Sequence, residues 1–277
     1  MSRDAGRERI RRYKEDIAEA MRRSMPQPGL AEFVTLRVLR THLTPASRVL
    51  DLGGDSGNHA VELAREGHTV SFVDPSAPLI EYVRQRVHDA GIESYVPTIE
   101  VGDAGDLSRF EDASFDAVVA PGTFYFLARQ DDRERAMAEI TRVLKPDGRA
   151  FLVFLPRLTG LSMLLSMLAR EPEQFRPGTL VRAFMQGTFR SASGKGFSDG
   201  WFPYLNEAES LFTSTGLVTL ELRSIRGLAY RNEAKLWPLR VEDPQRFAQV
   251  IEILETTAGT REVLETCGEA LFVGRPG

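Results

Sequence analysis

The feature that most constrains how this chain can fold is a short apolar segment with an acid near its end. A glycine-rich turn follows this segment directly. The segment covers residues 49–52 and contains Asp51, and the turn extends from Gly53 to Gly57. A helical pattern follows, and a second apolar segment ends at Asp74. This order of strand, glycine-rich turn, helix, strand and acid predicts a nucleotide-binding crevice. Glycine lets the backbone approach a ligand closely, and a carboxylate can accept from both hydroxyls of a ribose.

The acid at Asp51 favours a cationic ligand over a phosphorylated one. Dinucleotide-binding turns follow the pattern G-x-G-x-x-G and present a helix N-terminus to a pyrophosphate, whereas here an acid stands two residues before the first glycine. A carboxylate in that place repels a pyrophosphate and attracts a cation. S-adenosylmethionine carries ribose, adenine, an ammonium and a sulfonium but no phosphate, so its chemistry suits this crevice.

Four segments, in the expected order, resemble the class I S-adenosylmethionine-dependent methyltransferases. The first motif of that family reads [DE]-x-G-x-G-x-G. Asp51, Gly53 and Gly57 match it, and Asp55 replaces the middle glycine. The other three segments, which resemble the adenine-binding position, the fourth-strand motif and the turn before the fifth strand, are 98–104, 114–120 and 139–151.

The resemblance implies S-adenosylmethionine as the cofactor and assigns residues to it. Asp74 would accept from the ribose hydroxyls, and Asp103 from the adenine amino group. The full predicted cofactor site consists of Asp51, Gly53, Gly54, Asp55, Asp74, Pro75, Asp103, Ala104, Pro121 and, from a lid helix, Tyr13. Three interpretations of Asp55 are open: it caps the helix that begins near Asn58, it contacts the ammonium or sulfonium of the cofactor, or it obstructs the pocket.

The N-terminal segment is predicted to form an amphipathic helix. Residues 3–23 are rich in charge and carry apolar side chains at spacings of three to four, namely Ile10, Tyr13, Ile17 and Met21. One interpretation is a surface helix packed on the sheet. The other is a lid over the cofactor with Tyr13 facing the site, as in the first helix of many relatives.

Alternating strand and helix patterns predict the α/β fold class. We expect a Rossmann-like, doubly wound, seven-stranded and mostly parallel sheet with an antiparallel last strand, plus helical cap insertions. Predicted strands lie near 48–52, 69–74, 97–102, 115–120, 149–155, 217–225 and 270–275, and the turn Pro146-Asp147-Gly148 precedes the fifth. We divide the chain into N-terminal helices (1–45), a cofactor-binding core (46–156), a helical cap insertion (157–204) and a C-terminal completion of the core (205–277) with a helical insertion (227–268).

Composition narrows the partners and the setting. The formal net charge is −4, which disfavours a generally basic nucleic-acid-binding protein, although a local patch is not excluded. The single cysteine, Cys267, excludes an intrachain disulfide and a cysteine-rich zinc site, so we expect no metal and a reducing, cytoplasmic location. No apolar run approaches the ~18–20 residues of a membrane span. A homodimer is compatible with the sequence.

The predicted partner is a small-molecule methyl acceptor with O or N as the accepting atom. Residues 196–202 and 262–275 resemble a small-molecule subgroup of the same family. The predicted acceptor contacts are Phe124, Phe126, Asp199 and Trp201. A sulfonium methyl is already activated, so such an enzyme mainly aligns the reactants and excludes water.

Tyr125 is the predicted catalytic residue, as a hydrogen-bond donor or a base. Asp199 and Lys195 are further candidates, because none of the four histidines falls after the fourth strand or in either insertion. Two alternatives to small-molecule methyl transfer remain. The same cofactor could serve another reaction, such as cyclisation or the methylation of RNA or protein, or the chain could bind the cofactor without catalysis.

Overall fold

The computed structural model describes residues 8–16, 29–193, 197 and 199–277. The strands in these ranges are β1 (Arg48–Leu52), β2 (Thr69–Asp74), β3 (Thr98–Val101), β4 (Phe115–Ala120), β5 (Leu144–Phe154), β6 (Thr188–Arg190), β7 (Asp199–Trp201), β8 (Leu217–Ser224) and β9 (Ala270–Pro276). The helices are α1 (8–16), α2 (Leu30–His42), α3 (Asn58–Arg65), α4 (Ala77–Asp89), α5 (Gln130–Val143), α6 (Arg157–Arg170), α7 (Thr179–Gln186), α8 (Leu205–Thr213), α9 (Glu233–Leu236), α10 (Leu239–Glu242), α11 (Pro244–Thr257) and α12 (Arg261–Thr266). Of these helices, none has the length and apolar character needed to cross a membrane.

Seven of the strands form one twisted sheet in the order β3-β2-β1-β4-β5-β9-β8. β1 pairs in parallel with β2 on one side and with β4 on the other. β9 is antiparallel to both of its neighbours. This architecture confirms the predicted Rossmann-like sheet with an antiparallel last strand. The strand order reverses between β1 and β4, and in open α/β sheets ligands bind at such a point.

Helices cover both faces of the sheet, which explains why its central strands are mostly apolar. Successive side chains of a strand point to opposite faces. Val49 accordingly packs in the cluster formed with α2, α3 and α4, whereas Leu50 packs in the cluster formed with α5 and α8. A parallel sheet buried on both faces needs such continuous apolar runs. The buried carboxylates Asp51 and Asp74 stand in the last two positions of β1 and β2, at the carboxyl ends of these strands.

β5 begins at Leu144 rather than at the predicted residue 149. Phe115 of β4 pairs with Leu144 and Ala117 pairs with Arg149, so the register shifts across residues 145–148. The predicted turn Pro146-Asp147-Gly148 is therefore an irregularity within the strand. A proline is tolerated there because a bulge does not require its missing N–H in the ladder.

The segment predicted as a helical cap also contains a β-hairpin. α6 and α7 are followed by β6 and β7, whose pairing places Phe189 opposite Gly200. Arg157 anchors the start of α6, because its buried guanidinium donates to the Phe202 carbonyl (2.5 Å) and pairs with Glu207 of α8 (2.6 Å). Hydrogen bonds from a charged donor are strong, so Arg157 ties the cap to the core.

The connection between β8 and β9 consists of the short helices α9 and α10 followed by α11 and α12. It packs against α2, where the ring of Phe33 lies 5.8 Å from that of Trp237 and 5.6 Å from that of Phe247. This packing holds α2 close to the carboxyl ends of the strands. α2 can therefore contribute side chains to a site at that edge.

Candidate active site

The glycine-rich turn after β1 is locked against the loop after β4. Gly53 has φ +72°, and its N–H donates to the Val73 carbonyl (2.8 Å). A Cβ at Gly53 would lie 2.8 Å from Oγ1 of Thr123, whose hydroxyl donates to the Leu52 carbonyl (2.7 Å). Both the left-handed backbone and this close approach require glycine.

Asp55 takes the left-handed conformation that the family motif reserves for glycine. Its φ is +46°, which aspartate tolerates better than most side chains. The N-cap of α3 is Gly57, and no side chain caps this helix. The interpretation of Asp55 as a helix cap is therefore wrong. Its carboxylate instead pairs with Nζ of Lys14 (2.9 Å).

Lys14 of α1 is a residue that the sequence analysis missed. Its Nζ lies 2.6 Å from Oδ2 of Asp74 and 2.9 Å from Oδ1 of Asp55, and the residue is only 2% exposed. Burial disfavours the ammonium, but the two carboxylates outweigh it and raise the pKa of Lys14. Lys14 therefore stays charged. It follows Ile10 by four residues, so the helical spacing did place it on the apolar face of α1.

Tyr13 does not occupy the position expected for it. Its ring packs against the rings of Phe126 (5.6 Å) and Phe197 (6.0 Å). The neighbouring Lys14, together with Ile10, reaches the crevice instead. α1 therefore lies over the crevice, as the lid interpretation expects, but Lys14 rather than Tyr13 faces it. Residues 3–7 and 17–23 of the predicted helix lie outside the described residues.

Three carboxylates meet at the carboxyl ends of β1 and β2, and they differ in their partners. Both oxygens of Asp74 are engaged, Oδ2 by Lys14 and Oδ1 by the Ser76 N–H (2.9 Å). Neither oxygen of the fully buried Asp51 has a hydrogen-bond partner of normal geometry in the described residues. Burial, with the charges of Asp74 and Asp55, raises the pKa of Asp51 to about 8. An orphaned buried carboxyl fits a ligand that brings a cation.

A first cavity, the β2-side cavity, lies over the ends of β1, β2 and β3 and encloses about 100 Å³. The residues predicted for the cofactor that line it are Gly53, Pro75, Asp103 and Ala104. Phe126 and Asp199, predicted as acceptor contacts, line this cavity as well. Asp199 is held there by ion pairs with Arg9 (2.5 Å) and Arg190 (3.2 Å).

A second cavity, the β5-side cavity, lies over the ends of β1, β4 and β5 beside the start of β9 and encloses about 270 Å³. Of the predicted residues, Gly54, Asp55, Pro121 and Tyr125 line it. The sequence analysis missed its other polar side chains, which include Glu32, His59, Arg226 and Glu269. Gly53 and Gly122 line both cavities, so the two spaces meet over bare backbone.

The titratable groups of the β5-side cavity are shifted by burial. Burial raises the pKa of Tyr125 well above its usual range and lowers the pKa of His59. The Nε2 atom of His59 is buried without a hydrogen-bond partner in the described residues. Burial also raises the pKa of Glu269, although Arg226 lies 2.5 Å away and opposes the shift. At neutral pH the cavity therefore presents a neutral imidazole and a protonated phenol.

Two aromatic residues predicted at the acceptor belong to the core instead. Phe124 is fully buried, with its ring 4.9 Å from that of Phe212. Trp201 packs in the same cluster, with the Arg133 guanidinium 4.4 Å above its ring. Neither lines the two cavities. Lys195 lies outside the described residues.

Comparison with known proteins finds methyltransferases among the proteins that this chain resembles. Residues 50–152 match the family model described as a methyltransferase domain. The methyltransferase GfsG of Streptomyces halstedii is 35% identical over 111 residues, which are 40% of this chain and 38% of that protein. The cypemycin N-terminal methyltransferase of a Streptomyces species is 36% identical over 105 residues, 38% of this chain and 40% of that protein. The match thus spans about two fifths of the length of these curated relatives.

A solved structure extends the likeness in fold beyond the matched segment. The chain resembles a SAM-dependent methyltransferase of Methanosarcina mazei with a TM-score of 0.58 and 18% identity, covering 86% of this chain and 96% of that one. At this identity the likeness concerns the fold alone. Residues 50–152 therefore match a methyltransferase domain, and they lie in a Rossmann-like sheet of the kind found in SAM-dependent methyltransferases.

Proposed function

We propose that this chain transfers a methyl group from S-adenosylmethionine to O or N of a small-molecule acceptor. The observation that carries the proposal is the meeting of the two cavities over Gly53 and Gly122. A Cβ at Gly122 would lie 2.9 Å from the Gly53 carbonyl oxygen and 3.2 Å from Oη of Tyr125. Because only glycine backbone lies where the two spaces meet, reactants held on either side can be aligned at close range.

The residues of the β2 side fit the cofactor. S-adenosylmethionine, when bound, supplies a methyl group on a positively charged sulfur. Asp51 would face its cationic end, because it is the buried carboxyl that lacks a partner. Asp74 would accept from the ribose hydroxyls and Asp103 from the adenine. For this, Lys14 must leave Asp74, whose two oxygens are both occupied in the described structure.

The residues of the β5 side suit the acceptor. Tyr125 stays protonated because its pKa is raised, so it serves as a hydrogen-bond donor that orients the acceptor. His59 stays neutral near pH 7 because its pKa is lowered, so it can accept the proton that the acceptor releases. The cavity volume of about 270 Å³ favours a small molecule over a folded macromolecule.

The test is release of S-adenosylhomocysteine in the presence of a panel of small amines and phenols. Turnover with any of these acceptors supports the proposal. Release of methylthioadenosine would instead indicate attack on the aminobutyrate carbon of the cofactor. Cofactor binding without product from any acceptor would favour a non-catalytic binding protein.

A substitution of Gly122 tests whether the reaction takes place where the two cavities meet. In Gly122→Ala the new Cβ meets the Gly53 carbonyl, so we expect kcat/KM to fall roughly 100-fold, as expected for an ångström-scale misplacement of reactants. Gly259→Ala is the matched control, because a Cβ there meets nothing within 4 Å. Equal activity of the two variants, with melting temperatures like that of the parent, would show that the reaction does not take place where the two cavities meet.

A further inference from the structure

A third cavity, the arginine-lined cavity, lies between α1 and the cap and encloses about 500 Å³. Its charged lining consists of Arg9, Arg176, Arg182 and Arg190. Its hydroxyl groups come from Thr179, Thr188, Ser191 and Ser193. Neither the cofactor nor the acceptor of the proposed reaction requires this space.

The positive charge of this cavity is only partly compensated. Asp199 pairs with Arg9 and Arg190. The guanidinium groups of Arg176 and Arg182 have no hydrogen bond or ion pair within the part of the chain that the structure describes. Like charges gathered in one cavity repel each other and destabilise the empty protein.

Other arginines of this chain contrast with the cluster. Arg142 pairs with Glu139 and Asp112, and Arg223 pairs with Glu221 and Glu255. The net charge of the whole chain is −4, so a general excess of arginine does not explain the cluster. The guanidinium groups of Arg176 and Arg182, which have no partner among the described residues, thus add positive charge to a cavity that already holds two arginines. Such a feature is characteristic of a binding site.

We propose that the arginine-lined cavity binds a phosphorylated small molecule through its phosphate. A guanidinium fork matches two phosphate oxygens, and the threonine and serine hydroxyls add donors of the right kind. A carboxylate offers only two oxygens, too few for so many donors. The volume of about 500 Å³ also leaves room for an organic group attached to the phosphate. Ala128 and Arg190 line both this cavity and the β2-side cavity, so that group can extend toward the cofactor.

Titration calorimetry of the full chain with inorganic pyrophosphate tests this site without cofactor or acceptor. We expect saturable binding of one pyrophosphate per chain, weakening with salt as the charges are screened. The double variant R176Q/R182Q should bind roughly 100-fold more weakly, since each of the two lost contacts to a charged group is worth about tenfold. Both side chains are exposed, so the variant should fold like the parent, as a melting curve will verify.

Two controls separate a phosphate site from general attraction of anions. R170Q/R246Q removes the same charge from exposed positions that do not line the cavity, so its affinity for pyrophosphate should stay within about threefold of the parent. Acetate, the carboxylate probe, should not saturate the site. Absence of saturable pyrophosphate binding, equal affinity in R176Q/R182Q, an equal loss in the control variant, or acetate binding as tight as pyrophosphate would each overturn the proposal. None of these outcomes bears on methyl transfer, which is assayed separately.

Discussion

The two cavities on either side of Gly53 differ in how their titratable groups are stabilised. On the β2 side, Asp74 is neutralised by the chain's own ammonium, Lys14, which also pairs with Asp55 at the edge of the β5-side cavity. On the β5 side, burial holds His59 and Tyr125 in their neutral forms. The β2 side therefore suits an exchange of one cation for another, and S-adenosylmethionine is itself a cation. The β5 side suits a proton transfer from a neutral acceptor. The following predictions test this division of roles.

The largest effect is expected on the β5 side, from His59→Gln. Loss of the proton acceptor should lower kcat roughly 100-fold, at the low end for a general base. In the parent, kcat/KM should fall as the pH drops through the lowered pKa of His59, because a protonated imidazole cannot accept a proton. That acid limb should be absent from the variant. His88→Gln is the control, because His88 is exposed, pairs with Glu93 and lines neither cavity. An unchanged pH profile in His59→Gln would assign the proton transfer to another group.

On the β2 side, Asp74→Ala should weaken cofactor binding roughly 10–100-fold, since hydrogen bonds to a charged group are each worth about 1.5–3 kcal/mol. Calorimetry with S-adenosylhomocysteine measures the change directly. Asp147→Ala, at an exposed position outside both cavities, should bind like the parent. A folded Asp74→Ala variant with the parent's affinity would show that the ribose is held elsewhere.

Lys14→Met should increase the affinity for the cofactor, in contrast to Asp74→Ala, and by a smaller factor. Removing the competing ammonium from Asp74 should tighten cofactor binding roughly 5–10-fold, because the cofactor no longer displaces a bound partner. Arg12→Met lies on the same helix, but its side chain is 70% exposed, so it should leave the affinity unchanged. Weaker binding in Lys14→Met would mean that Lys14 contacts the bound cofactor instead of competing with it.

The last prediction concerns stability and its dependence on pH, rather than activity or cofactor binding. The pKa of Asp51 is about 8 in the folded protein against an ordinary value of 3.8, so the folded state binds the proton more tightly than the unfolded chain. The stability due to neutral Asp51 is fully present below about pH 4 and is lost as the pH rises toward 8. Asp51→Asn should therefore unfold at higher urea at pH 8, by about 2–4 kcal/mol in free energy of unfolding. The difference should shrink as the pH falls toward 4, and a difference independent of pH would show that Asp51 is already ionised.

How far the sequence predicts each side depends on how local its residues are. Asp51, Gly53, Asp74 and Asp103 stand at or just beyond the ends of apolar segments, so a short pattern placed them at one edge of the sheet. The β5 side gathers its side chains from α2, α3, the loop after β4 and the start of β9. Such long-range proximity leaves no local pattern. The sequence therefore predicted residues of the β2 side and missed most of the residues that line the β5-side cavity.

Individual errors have equally physical causes. Phe124 and Trp201 are apolar, and composition does not distinguish the wall of a cavity from the core in which they pack. Asp55 precedes a helix as a capping residue would, but the left-handed Gly57 begins that helix instead. His59 was passed over because it belongs to the glycine-turn helix, whereas Tyr125 follows β4, and only the sheet brings the two to one cavity.

The most direct test of the account is a crystal structure of the chain with S-adenosylhomocysteine bound. The account predicts that the ribose hydroxyls lie within hydrogen-bonding distance of the Asp74 carboxylate and that the Lys14 ammonium has moved away from it. The cofactor sulfur is also expected beside Gly53 and Gly122, where the two cavities meet. A bound cofactor with Lys14 still 2.6 Å from Asp74, or with its sulfur away from these two glycines, would contradict this interpretation.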